Sequence, residues 1–189
     1  MGKSHALKLT VHPSAILWLC LLFYRKAAIL LPFLSAAAVH ELGHLLALRL
    51  RRHPVSSVTL SFSGAVMKTG LLSYRDELLA AAAGPLTSLA AGFFLPLWPE
   101  FGLYSVILGL FNLLPLPGLD GGRMVRSAVM LLFPPESAGR ICRFLGICTG
   151  LALWGFALYL TFRLQCGLWP LLLGAMLLTK ALIPLFSAS

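Results

Sequence analysis

Long apolar runs separated by short polar or basic punctuation set the pattern of this chain. Residues 9–24, 27–50, 78–97, 101–116, 144–162 and 168–186 are each dominated by Leu, Ala, Val, Ile, Phe and Gly. These runs are continuous, whereas the strands of an outer-membrane barrel alternate apolar and polar residues over about ten positions. The pattern predicts an all-α membrane protein with about six transmembrane helices. Arg25-Lys26 is read as the boundary between the first two spans, and Trp98-Pro99-Glu100 as a tight turn between the third and fourth. Met124 to Phe133 reads as a short apolar helix stopped by Pro134-Pro135, and Arg140 and Arg143 mark a polar connection before the last two spans.

Residues 53–77 form the one extended stretch without helical character. Residues 55–63 are rich in β-branched and hydroxyl side chains, Gly64 is placed to turn the chain, and residues 65–69 are placed to return as a second strand. A short membrane-associated β-hairpin after the second span is expected, with an ordinary exposed loop as the alternative that periodicity does not exclude.

Composition supports the membrane class. The 189 residues are 59% hydrophobic and 11% charged, against about a quarter charged in a soluble domain, and mean hydropathy is +0.89. By length the chain is expected to form a single domain, residues 1–189. The net charge of +9 comes from residues scattered at span ends. That placement fits the positive-inside rule and anionic lipid headgroups, and no nucleic acid is expected as a partner. Cys20, Cys142, Cys148 and Cys166 form no Cys-x-x-Cys pair and read as small buried hydrophobes. No small-residue cleavage site follows the first apolar run, so it is read as a retained span.

Candidate chemistry enters through the second run, which contains His40-Glu41-Leu42-Gly43-His44. Helical residues four apart share a face, so His40 and His44 can present imidazole nitrogens to one metal ion. Glu41 is then placed to hold a water molecule and take its proton. Burying this trio in lipid costs several kcal/mol unless compensated. A zinc ion would compensate it; hydrogen bonding to neighbouring helices is the alternative. A third ligand is required, and Asp120 is the candidate. It follows two prolines and a glycine in Asn112-Leu113-Leu114-Pro115-Leu116-Pro117-Gly118-Leu119-Asp120-Gly121-Gly122, where no regular helix can continue. Alternatively, Asp120 is a turn aspartate at the membrane surface. Depth favours the ligand. If the second and fourth spans begin on one side, His44 lies about 26 Å along its helix and Asp120 about 28 Å along its own. His12, before Pro13, reads either as a residue near the metal or as one solvated at the headgroups.

The pairing of His-Glu-x-x-His in one span with Asn112-x-x-Pro115 and Leu119-Asp120-Gly121 in a later one resembles the site-2 protease family of intramembrane zinc metalloproteases. Ala83-Gly84-Pro85-Leu86 and the segment containing Gly64 are also similar, and the resemblance covers residues 9 to 133. With Val11-His12-Pro13 and six spans, the chain looks most like the stage IV sporulation protein FB branch, here without a CBS domain and without a PDZ insertion. The resemblance implies one Zn2+ held by His40, His44 and Asp120, with Glu41 as general base. It also implies that Asn112 and the Gly64 segment steady the site or the substrate. The implied activity is zinc-dependent intramembrane endopeptidase cleavage of a membrane-embedded or membrane-associated protein, in that branch a sporulation transcription-factor precursor. The implied partners are that substrate, a membrane-protein inhibitor or regulator, and the lipid bilayer. The arginines around Arg49, Arg51, Arg52, Arg75, Arg123, Arg126, Arg140 and Arg143 assign the site to the cytoplasmic side of a bacterial plasma membrane. Two other classes remain in play: a membrane binding protein with this fold but no catalysis, and an ion or proton transporter. Transporters often show internal repeats, and none is evident.

Overall fold

The structure is a computed structural model that describes residues 8–11, 13–61 and 64–182. By backbone contacts it divides into two compact units, Met1–Phe111 and Asn112–Ser189. His12 lies outside the described residues.

The first unit begins with β1 (Lys8–Val11) and α1 (Pro13–Leu50). Proline disfavours helix in the residue before it and suits the first helical position, so the helix starts at Pro13. The two spans expected on either side of Arg25-Lys26 are one helix of 38 residues. At 1.5 Å per residue that is about 57 Å, nearly twice a hydrocarbon core. Residues 21–28 contain no Gly, Pro, Asn or Asp that could turn the chain, and Arg and Lys are good helix formers. The charged pair is therefore helical punctuation, not a reversal.

α1 ends in a Schellman turn. The N–H of His53 bonds the carbonyl of Leu48 at 2.9 Å, and that of Arg52 the carbonyl of Arg49 at 2.9 Å. Arg52 takes φ 59°, a conformation usually left to glycine.

The expected hairpin follows as β2 (Val55–Ser61) and β3 (Gly64–Thr69), paired antiparallel. Gly64 is the first residue of β3 and pairs with Ser61, so it is a strand position and not the turn. β1 adds to the other edge of β2 in parallel, with Leu9 opposite Val58, making a three-stranded sheet in the order β1-β2-β3. Sequence reading placed the start of a membrane span there; Lys8-Leu9-Thr10-Val11 is too short for periodicity to distinguish a strand from the start of a helix.

α2 (Tyr74–Ala91) is capped by the Ser73 hydroxyl, which accepts from the Asp76 N–H. It runs through Pro85 without interruption and ends in a 3₁₀ turn, Gly92–Phe94. α3 (Pro99–Asn112) returns against it. Small residues allow this close packing, as expected where lipid removes the hydrophobic drive between helices. A small core of Ala36, Ala91 and Phe101 forms between α1, α2 and α3, with Val39 and Tyr104 against it.

In the second unit, residues 113–119 are irregular, with Gly118 at φ 90°. α4 (Asp120–Leu132) follows, then α5 (Pro135–Phe162) and α6 (Trp169–Leu182). Asp120 is the first residue of α4 and not part of the break before it. Arg140 and Arg143 lie within α5 and not in a connection, because Pro135 opens that helix as readily as it ends the previous one. α5 and α6 pack through Gly150, Ala157, Gly174 and Ala181. Cys148 and Cys166 are exposed on the protein surface, contrary to their reading as buried hydrophobes.

The fold is mostly helical and of a membrane-protein class. Among the described residues three helices are long and apolar enough to cross a membrane, Ile29–Leu50, Tyr74–Phe94 and Pro135–Phe162, and Trp169–Leu182 is a shorter apolar helix.

A prediction tests the α2–α3 reversal. A Cβ at Gly102 would stand 2.6 Å from Leu95 Cα and 2.7 Å from its backbone nitrogen. Gly102→Ala is expected to destabilise the protein by about 1–3 kcal/mol, read as a lower thermal midpoint in detergent.

Candidate metal centre

α1 brings His40, Glu41 and His44 to one stretch of helix, and α2 lies against it. Every fourth residue of α2 faces this stretch or the chain just beyond it. His44 Nδ1 donates to the carbonyl of Ala80 at 2.7 Å. His40 Nδ1 and the Ser88 hydroxyl are 2.9 Å apart. Between these two positions, a side chain at Gly84 would run into the His44 imidazole. One residue before His44 on α1, a Cβ at Gly43 would stand 2.5 Å from Thr87 Oγ1 and 2.7 Å from the Ala83 carbonyl. Two glycines facing each other's helices let the backbones approach until a histidine can reach a main-chain carbonyl.

These contacts settle which nitrogen of His44 carries the proton. A carbonyl only accepts, so Nδ1 holds the hydrogen, and in the neutral ring Nε2 holds the lone pair. The same assignment at His40 makes Ser88 Oγ an acceptor and turns that Nε2 into a ligand too. The two Nε2 atoms stand 3.3 Å apart, with the rings nearly perpendicular at 79°. Two nitrogens at 2.0–2.1 Å from one ion, at a tetrahedral angle, would be about 3.3–3.4 Å apart. The donor pair therefore fits a tetrahedral transition-metal ion. His40 and His44 are 4% and 7% exposed, so the facing nitrogens are shielded from solvent. Glu41 is partly buried, one residue from the first imidazole.

Of the other residues singled out by sequence, Asn112 and Asp120 belong to the second unit and Gly64 to the first. Asp120 opens α4, where the positive end of the helix dipole favours a carboxylate, and Arg123 Nη1 lies 3.5 Å from Asp120 Oδ1. Asp120 is 8% exposed and is the only acid among the buried polar residues described. Gly121 and Gly122 seat the first turn of α4 directly on the carbonyls of Leu113 and Leu116; a Cβ at either would collide with them. Asn112 ends α3 and is partly buried. Gly64 belongs to the sheet.

Sequence reasoning missed Ala80 and Ser88, which orient the two imidazoles. Their signal was present in the spacing Ala80-x3-Gly84-x3-Ser88, which puts three small residues on one helical face, but a small-residue face reads simply as close packing.

The fold and the histidine pair define a helical membrane protein with a metal-binding site. Comparison with known proteins carries this further. The model of "Peptidase family M50" matches residues 78–153. The chain is 32% identical over 170 residues to "Putative zinc metalloprotease Rip3" of Mycobacterium tuberculosis, covering 75% of this chain and 42% of that protein. It is 32% identical over 139 residues to YwhC of Bacillus subtilis, which carries the same description, covering 71% of this chain and 53% of that protein. The chain thus spans about half or less of the length of these relatives. Among solved structures, "Site-2 Protease from Methanocaldococcus jannaschii" has the same fold, with a TM-score of 0.66 at 21% identity, covering 96% of this chain and 92% of that one. The family model and the zinc metalloprotease relatives support Peptidase family M50, the site-2 protease family, and the solved structure shows the fold. That support reaches the family and not the sporulation branch within it.

Two substitutions probe the site. Ser88→Ala removes the partner of His40 and is expected to weaken metal affinity by about 10–100-fold. Gly84→Ala pushes a methyl group into the His44 ring and is expected to lower affinity at least as much. Competition with a chromogenic chelator measures both.

Proposed function

We propose that this chain is a zinc-dependent intramembrane endopeptidase of the site-2 type. The observation that carries this reading is the buried pair of imidazole Nε2 atoms set 3.3 Å apart on a helix whose sequence is His-Glu-x-x-His. The zinc metalloprotease relatives support it. In this reading His40, His44 and Asp120 hold one Zn2+ ion. Catalytic zinc takes three protein ligands and leaves a position open. Asp120 is the buried acid available to complete the set, as the Leu-Asp-Gly segment of the family implies.

When bound, zinc lowers the pKa of a water toward 7 and polarises a carbonyl. Glu41 takes the proton from the attacking water and returns it to the leaving amine. The Nδ1 hydrogen bonds hold both rings in one tautomer, so that no proton competes for the ligand nitrogens. The whole chain, residues 1–189, acts as one intramembrane protease domain in this account.

Six alternating spans no longer supply the depth of the site, since the first two are one helix. Its position follows instead from the end of α1. From His44 to Leu50 is about 9 Å of helix, and Arg49, Arg51 and Arg52 surround that end. By the positive-inside rule this end is cytoplasmic, in a bacterial plasma membrane, and close enough to the surface for water to arrive. The substrate is a membrane-embedded or membrane-associated protein. Its scissile segment must leave helical form, because a helical peptide bond is covered and internally bonded. An extended segment can then pair with the edge of the β2–β3 sheet, where Gly64 sits, and Asn112 steadies it. A sporulation transcription-factor precursor is the substrate that resemblance to the stage IV sporulation protein FB branch suggests, with a membrane-protein regulator as a further partner.

Two variants test the assignment. Glu41→Gln is expected to abolish cleavage while retaining a full equivalent of zinc, and an active Glu41→Gln enzyme would remove Glu41 as the base. Asp120→Ala is expected to lose most of its zinc by elemental analysis, and unchanged occupancy would remove Asp120 as a ligand.

A further inference from the structure

We infer that Asp76 is a positioning residue for the metal centre, an inference that rests on the reading above. Its carboxylate gathers the end of α1 onto the first turn of α2. Oδ1 accepts from Arg51 Nε at 2.7 Å, and Oδ2 lies 3.1 Å from His53 Nε2. Oδ2 also accepts from the Ser73 hydroxyl at 2.7 Å, while the Asp76 N–H is held by that same hydroxyl. The Asp76 side chain is only 14% exposed, while that of its partner Arg51 is 51% exposed.

What the clamp controls follows from spacing. Asp76, Ala80, Gly84 and Ser88 lie four apart on α2, one face of one helix. Asp76 holds Arg51 and His53, the Ala80 carbonyl holds His44, Gly84 receives the His44 ring, and Ser88 holds His40. One turn of helix, about 5.4 Å, separates the clamp from the carbonyl that orients His44.

The α1–α2 contact between these points is built from Gly43, Ala80, Ala83 and Gly84. So smooth an interface has few interlocking side chains to resist sliding or rotation. Directional polar contacts help to set its register, and outside the metal site Asp76 supplies two of them, to Arg51 and His53. The Schellman turn at α1 serves the same end. With Arg52 in the left-handed conformation, the chain reverses so that Arg51 and His53 both reach one carboxylate. That conformation costs about 1–2 kcal/mol for a residue other than glycine, and the clamp is what holds it. β2 starts two residues after His53, so the same carboxylate also anchors the strand to the helix that carries the histidines.

The test uses the full chain in detergent, with two readouts. The first is zinc affinity by chelator competition. The second, on zinc-free protein, is the downfield proton resonance of His44 Nδ1–H bonded to Ala80. Asp76→Asn keeps the shape and drops the charge; it is expected to weaken zinc affinity by about tenfold and to shift or broaden the resonance. Asp76→Glu, which keeps the carboxylate, is expected to recover most of both. Arg75→Ala, an exposed neighbouring charge outside the clamp, is expected to change neither. Wild-type affinity and an unaltered resonance in Asp76→Asn would overturn the inference, as would an equal loss in Arg75→Ala. If Asp76→Asn loses its helical circular dichroism, Arg51→Lys replaces it, with the same outcomes deciding. A wild-type chain that binds no zinc would overturn the proposed function alone, because the resonance still decides the role of Asp76.

Discussion

The hydrogen bond from His44 Nδ1 to the carbonyl of Ala80, 2.7 Å long, is the contact on which the site depends. It can form only if α1 and α2 come closer than ordinary side chains permit. Gly43 on one helix and Gly84 on the other make that approach possible. Once it is made, the proton is fixed on Nδ1, the lone pair is fixed on Nε2, and the ring cannot turn away. The partner ring, held through Ser88, then presents its own Nε2 at the separation that one tetrahedral ion requires. Packing and chemistry are therefore one constraint: small residues that look like helix-packing filler decide which nitrogen binds.

The second unit solves a different problem, that of carrying an acid into apolar surroundings. A carboxylate at the first turn of α4 gains from the helix dipole and from Arg123. Its backbone is held by contact with the irregular segment before it, where Gly121 and Gly122 rest on the carbonyls of Leu113 and Leu116. Prolines at positions 115 and 117 keep that segment from continuing as helix and competing for those carbonyls. Within this irregular segment Leu116 is fully buried, whereas Pro117 and Gly118 are exposed.

Much of this was legible in the sequence. The His-Glu-x-x-His motif points to metal chemistry because ligation by one helix demands particular side chains at helical spacing. The hairpin was legible because β-branched residues cluster between 55 and 69, and the structure places its strands within two residues of that reading. Helix boundaries were less legible. Arg25-Lys26 looks like a reversal because charge often marks the end of a span, yet a turn also needs residues that break helix, and none is present. Pro134-Pro135 was read as a stop when it is also a start. β1 was hidden because its four residues pair with a strand more than forty positions away. Ala80 was invisible for a deeper reason: it acts through its backbone, and no side-chain pattern marks a carbonyl that accepts from a distant histidine.

The account stands on two imidazoles and one carboxylate sharing a single ion, with the fourth position left to water or substrate. X-ray absorption at the zinc edge of the purified, zinc-loaded chain tests this directly. The account predicts four nitrogen or oxygen neighbours at about 2.0–2.1 Å, with the multiple-scattering pattern of two imidazoles. A sulfur neighbour at about 2.3 Å, or a shell with fewer than two imidazoles, would contradict it.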